Sequence, residues 1–159
     1  MLVTNTAKKG GSIATNSQFA VAIHILTLLA QSPDEPVTSE RMAGSINTNP
    51  VFVRRILGHL SRVGLVASQP GVGGGWRLRR DPAAMTLLEV YQAVQEGHLL
   101  SLHHSTPNPN CLVGRNIQRS LMRCFGEAEQ AFEQTLAQQT LAQVLQMVRQ
   151  NPSTQAREG

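Results

Sequence analysis

The sequence predicts a mainly α-helical fold carrying one small β-hairpin, and three observations lead to it. Apolar residues recur at three- and four-residue spacing through most of the chain, which is the helical period. A glycine cluster, Gly71-Val72-Gly73-Gly74-Gly75, separates two short runs that read as strands. Aromatic residues make up 4% of the chain against 41% hydrophobic residues overall, a balance that suits helices packed through Leu, Val and Ile. With 159 residues there is room for one compact domain and a helical appendage, but not for two full-sized domains.

Residues 1–15 include Lys8 and Lys9 but lack the apolar segment that an export signal needs, so a flexible lead is expected. Ser17 is placed to cap a first helix. Its apolar positions, Ala20, Val21, Ile23, Ile25, Leu26, Leu28 and Leu29, surround much of the cylinder and make it a central core helix. Ser32-Pro33-Asp34 ends it. Thr38 is the N-cap of a short second helix reaching about Ile46, and Asn47-Thr48-Asn49 is the turn after it. Asn49 then caps a third helix with Pro50 at its first position, where the missing N–H costs nothing. At 100° per residue, Val53, Ile56, Leu57, Leu60 and Val63 share one arc of that helix, while Val51, Arg54, Arg55, Gly58 and Arg62 share the opposite one.

Gly64 stops the third helix, and Leu65–Gln69 and Trp76–Arg79 form a hairpin around the glycines, with Trp76 as a packing anchor at its base. Thr86-Leu87-Leu88-Glu89 is a capping box opening a helix through Val94, closed by Gly97. Pro107 and Pro109 exclude regular helix from the segment before Asn110. A long helix starts near Leu112, with Ile117, Leu121, Cys124 or Phe125, Ala128, Phe132 and Leu136 at three-or-four spacing. A lone helix cannot hide such a stripe. A second box, Thr140 to Gln143, opens a terminal helix bearing Leu141, Val144, Leu145 and Val148. The expected division is therefore a flexible lead (1–15), a winged helix-turn-helix unit (16–96), a loop (97–111), two C-terminal helices (112–150) and a flexible tail (151–159).

Charge is concentrated rather than spread. The window from Arg41 to Arg80 holds seven arginines and no acidic residue, although the whole chain carries only +4. So polarised a stretch calls for a polyanion, and the phosphate backbone of duplex DNA is the partner that fits it. The glycines do not build a nucleotide loop instead: Trp76 stands where a dinucleotide fingerprint needs its third glycine, and no Gly-Lys-Ser/Thr follows. Nor do the histidines and carboxylates assemble into a nucleophile, an acid–base pair or a metal cluster, so no enzymatic activity is expected. The longest apolar run, Phe19 to Ala30, is too short to cross a membrane and contains His24 and Thr27. Cys111 and Cys124 have neither disulfide-framework nor zinc spacing, which fits a reducing cytoplasm.

Several of these segments also resemble one family. Phe19-Ala20-Val21, Val63-Gly64-Leu65-Val66, Gly73-Gly74-Gly75-Trp76-Arg77-Leu78, Thr86-Leu87-Leu88-Glu89 and Cys111-Leu112-Val113-Gly114-Arg115 are similar to the Rrf2 family of bacterial transcription regulators, over about residues 16 to 148. The resemblance implies a winged helix-turn-helix domain with a long C-terminal dimerisation helix, binding palindromic operators as a homodimer and acting as a repressor. On this reading Ile117, Leu121, Phe125, Ala128 and Phe132 form the dimer face. Arg54 would occupy a base-reading position, with Arg55 beside it, because guanidinium suits guanine O6 and N7. Thr48, Arg62, Arg77 and Arg79 are expected on phosphates, and Val51 and the wing glycines Gly73, Gly74 and Gly75 close to the duplex.

Cluster-binding members of the family use three cysteines before the dimerisation helix. Only Cys111 matches one of them, and His103, His104 and Asn108 stand where the others would lie. That is an incomplete set for a [2Fe-2S] centre, so no cofactor is expected. Cys111, beside a helix N-terminus that favours negative charge, is instead a candidate redox switch, with His103 and His104 as candidate effector residues and Cys124 as a small core residue. The alternative to a DNA-binding regulator is a winged helix that recruits proteins, with the long helix as its docking stripe.

Overall fold

The computed structural model describes residues 17–151, so the expected lead, and the tail beyond 151, lie outside the described residues. Among the described residues six helices and one hairpin follow in order: α1 (Ser17–Gln31), α2 (Ser39–Ile46), α3 (Pro50–Arg62), β1 (Val66–Gln69), β2 (Gly75–Leu78), a 3-10 turn (Pro82–Ala84), α4 (Leu87–Val94), α5 (Leu112–Ala137) and α6 (Leu141–Gln150). No helix among the described residues is long and apolar enough to cross a membrane.

The local signals act where they were read. The Thr38 side chain accepts from the Arg41 N–H at the start of α2, and the Asn49 side chain accepts from Val51 at the start of α3, each cap contributing about 1 kcal/mol. Asn47 closes α2 in the left-handed conformation (φ 58°), its N–H turned back to the Ala43 and Gly44 carbonyls. Both capping boxes, Thr86 with Glu89 and Thr140 with Gln143, are reciprocal.

Packing is dense around α1. Ala22, Ile25, Leu26 and Leu29 meet Met42 and Ala43 of α2, Val53, Ile56, Leu57 and Leu60 of α3, and Val90 and Val94 of α4 in one core. Two residues of the apolar arcs fall outside it. Val63 is 52% exposed because α3 ends at Arg62, and Ala20 faces solvent. A second, smaller cluster joins Leu87 and Tyr91 of α4 to Leu136 of α5. The rings of Phe19, Tyr91 and Phe132 stack edge-to-face in a ladder, with centroids 5.4 and 5.1 Å apart, that ties α1, α4 and α5 together.

The C-terminal helices behave differently from each other. α6 turns back along α1, and its Leu141 is fully buried in the main core, helped by the hydrogen bond from Leu141 N to the Met85 carbonyl (2.9 Å). It is thus part of the head's packing as well as the continuation of α5. Within α5, Leu136 alone is buried. Ile117, Leu121, Phe125 and Phe132 are half-buried, and Ala128 is exposed. Cys124, expected to be a small core residue, is exposed, because no buried cluster among the described residues reaches that part of α5.

Candidate nucleic-acid interface

The helix-turn-helix places the outer face of α3 in solvent by a short chain of causes. Asn47 bends the backbone, Thr48 N donates to the Ala43 carbonyl (3.0 Å), and Asn49 starts α3 at once. Burial of Val53, Ile56, Leu57 and Leu60 then fixes the rotation of the helix, so that Val51 (67% exposed), Arg54, Arg55 and Arg62 project outward. Thr48 lies half-buried at the turn.

Each outward arginine has a local partner. The Arg54 guanidinium donates to Glu40 Oε1, from the first turn of α2, forming an ion pair whose side chains are 52% and 62% exposed. Arg55 lies over the Phe52 ring, 5.1 Å from its centroid. Arg62 donates to His59 Nδ1 (2.7 Å), one turn back on the same helix. Glu40 was invisible to a charge-window reading because it stands one residue before the acid-free stretch. The available signal was positional: the first turn of the leading helix and the second turn of the next approach each other in a helix-turn-helix.

The wing is fixed more firmly than a free hairpin. Its antiparallel register pairs Val66 with Leu78 and Gln69 with Gly75. Val37 adds an isolated antiparallel bridge on the other edge of β2, donating to the Trp76 carbonyl (3.0 Å) and accepting from the Trp76 N–H (2.9 Å). Close approach explains two of the glycines. A Cβ on Gly74 would lie 2.1 Å from the Gln69 carbonyl oxygen, and one on Gly75 would lie 2.8 Å from that of Val37. Gly73 sits exposed at the tip.

The wing arginines divide by role. Arg77, half-buried, donates to Gln69 Oε1 and to the Pro33 and Asp34 carbonyls, all at 2.9 Å, and so clamps β2 to the turn after α1. Arg79 is exposed. Arg80 bonds Glu89 Oε1 (2.7 Å) and the Ala84 carbonyl (2.6 Å). The hydrogen bond from Arg80 holds the Glu89 carboxyl below its usual value despite partial burial, with the Thr86 N–H adding to the effect.

The loop between α4 and α5 lies against α5. Leu100 N donates to Glu129 Oε1 (3.0 Å), and a cleft of about 420 Å³ opens between Leu100 and Leu102 of the loop and Met122 and Phe125 of α5. His103 and His104 are exposed. Cys111 is exposed at the N-cap of α5, without a side-chain cap hydrogen bond. Among the described residues no three His, Cys, Asp or Glu side chains come together in a way that could hold a metal ion.

Comparison with known proteins agrees with this arrangement. The family model described as "Rrf2: Iron-dependent Transcriptional regulator" matches residues 15–147. YwnA of Bacillus subtilis (strain 168), named as an HTH-type transcriptional regulator, is 46% identical over 130 residues, covering 82% of this chain and 96% of that protein. A crystal structure of a protein described as DNA-binding superposes with a TM-score of 0.66 at 41% identity, covering 80% of this chain and 98% of that one. IscR from T. potens shares the fold, with a TM-score of 0.65 at 20% identity over 92% of this chain and 95% of its own. With helix-turn-helix, wing and long C-terminal helix in the same order and the family model spanning nearly all described residues, the chain belongs to the Rrf2 family of transcriptional regulators.

Proposed function

We propose that this protein is a sequence-specific duplex-DNA-binding repressor that acts in the cytoplasm as a homodimer on a palindromic operator and has no catalytic activity. The observation that carries the reading is the outer face of α3. It presents Val51, Arg54, Arg55 and Arg62 to solvent on a helix whose rotation is locked by four buried residues, beside a pinned wing. In the proposed complex α3 enters the major groove. Arg54 and Arg55 meet base edges, Val51 lies against a thymine methyl, and Thr48, Arg62 and Arg79 hold phosphates. Gly73, Gly74 and Gly75 let the wing backbone pass close to the sugar-phosphate wall, and Arg77 acts from within by holding the wing at its angle. The homodimer rests on α5, whose Ile117, Leu121, Phe125, Ala128 and Phe132 are left without full cover by their own chain.

Iron has no step in this proposal. Cys111 and Cys124 stand thirteen residues apart along α5, and no three His, Cys, Asp or Glu side chains come together among the described residues, so the donor set of one chain does not fit a [2Fe-2S] centre.

The test is fluorescence anisotropy with labelled duplexes selected by the protein from a randomised pool. With six or more phosphates contacted, affinity falls about a thousandfold between 50 and 200 mM salt. A flat salt response would replace DNA binding with the recruitment of proteins through the same surfaces.

A second reading, redox control through Cys111, is favoured by the exposure of that thiol where the loop joins α5. Peroxide then lowers affinity for the selected duplex reversibly in the wild type and not in Cys111→Ser. Since Cys124 is exposed too, Cys124→Ser tests a second thiol rather than serving as an inert control, and the double variant supplies the baseline.

A further inference from the structure

The ion pair between α2 and α3 gives an acidic residue a place in DNA recognition. We infer that Glu40 is a specificity-determining positioning residue: its carboxylate holds the Arg54 guanidinium and competes with DNA phosphate for it, so that Arg54 is released only to a base edge that matches it better. This inference rests on the proposed DNA-binding role of α3.

Three observations carry it. Glu40 lies in the first turn of α2 and Arg54 in the second turn of α3, fourteen residues apart, so the contact crosses the helix-turn-helix and is not an accident of one helix. Both helices are fixed by buried residues, Ser39, Met42 and Ala43 on one and Val53, Ile56 and Leu57 on the other, which holds the two side-chain stems at constant separation. Arg55 and Arg62, the neighbouring outward arginines, rest on an aromatic ring and a histidine, neither of which is an anion that phosphate would have to displace.

The physical consequence follows from charge. A guanidinium already neutralised by a carboxylate contributes little to counterion release on random duplex, and the carboxylate itself repels phosphate. A guanine edge differs from a phosphate in being uncharged and in presenting O6 and N7 as a fixed pair of acceptors that a planar guanidinium meets with two bonds. Glu40 therefore weakens binding to arbitrary sequence more than binding to the matching one, which is discrimination by penalty on the wrong partner. Because both side chains are more than half exposed, the pair adds little to folding, and its removal leaves the scaffold standing.

The experiment compares wild type, Glu40→Gln, Arg54→Ala and the double variant on two probes: a duplex enriched by the wild type from a randomised pool, and a shuffled duplex of the same composition. Glu40→Gln is expected to bind the shuffled duplex about three- to tenfold more tightly, with a salt slope steeper by about one, and to gain less on the enriched duplex. In the Arg54→Ala background the same substitution is expected to change the shuffled-duplex affinity far less, since the coupling runs through Arg54. No gain on shuffled duplex, or an equal gain with and without Arg54, overturns the inference and leaves Glu40 a surface charge. A DNA-free readout stands beside it: slowed rotation of the Arg54 guanidinium, seen by NMR in the wild type, should be lost in Glu40→Gln, and rotation equally fast in both would also overturn it. Failure to enrich any sequence would sink the sequence-specific reading of the protein and with it the specificity role of Glu40, while the NMR arm would still decide whether Glu40 holds Arg54.

Discussion

The head and the long helix solve the problem of apolar surface in opposite ways. In the head, residues of α1 to α4, β1 and α6 share one core, and Ile25, Leu26, Met42, Ile56, Leu57 and Leu60 retain no solvent exposure. In α5, a helix of 26 residues, one residue is buried, and Leu112, Val113 and Met122 are 69%, 65% and 63% exposed. The head is complete within one chain, and α5 is attached to it through Phe132 and Leu136 at its C-terminal end, leaving its N-terminal two-thirds with an apolar face half open. The difference teaches that the head holds itself together while α5 leaves apolar surface open; in the proposed dimer, stability and assembly rest on separate parts, and substitutions should separate them.

The largest effect is expected in the head. Leu57→Ala removes a fully buried side chain from the centre of α3 and should cost about 2–5 kcal/mol in chemical denaturation. Ala128→Glu, on the exposed face of α5, should leave the denaturation midpoint of the separated chain unchanged and turn a dimer into a monomer by light scattering. If Ala128→Glu instead unfolds the head, the proposed separation fails.

The junction comes next. Phe132→Ala breaks the edge-to-face stack on Tyr91, and since Phe132 is only half-buried the loss should be about 1–3 kcal/mol. Hydrogen exchange should speed up in the last turns of α5 before it does in α3. Equal acceleration in both would make the head and α5 one cooperative unit.

Within the head, two arginines of the wing are expected to part company. Arg77→Ala frees the Pro33 and Asp34 carbonyls from their clamp and should lower stability by about 1 kcal/mol while loosening the wing. Arg79→Ala should leave stability within about 0.5 kcal/mol and weaken every duplex alike, as loss of a phosphate contact does. Melting curves and anisotropy on selected and shuffled duplexes together read both outcomes.

The smallest effect is electrostatic. Arg80 lowers the carboxyl of Glu89 below 4.5, so the pair contributes stability above that value, and the contribution is lost as pH falls through the lowered folded-state value. With side chains 39% and 37% exposed, solvent screening limits it to about 0.5 kcal/mol. Glu89→Gln keeps the capping box, so its stability should fall less steeply than the wild type's as pH drops below 4.5. Parallel pH profiles would remove the pair from the acid response.

Much of this fold was legible residue by residue. Caps at Thr38, Asn49, Thr86 and Thr140 act within three residues, and the buried arc of α3 follows from its period, so α2, α3, α4 and α6 lie where the pattern puts them. The candidate site was legible as a set of residue types on one helix and one hairpin, but not as a sorted set. Arg77 reads like Arg79 in sequence, yet one is clamped to a carbonyl 44 residues away and the other is exposed.

The sequence by itself determined the element order, the helix ends, the two faces of α3 and the cationic character of the window from Arg41 to Arg80, because each depends on chemistry repeated or paired within a few residues. Only the tertiary structure decided that Glu40 meets Arg54, that Arg77 holds the wing, that Leu141 closes the main core and that Cys124 lies in the open. The reason is geometric. A long side chain bonds to whatever the packing of distant elements brings within reach, and a face is buried only if another element arrives to cover it. Neither distance nor cover is written in the local pattern.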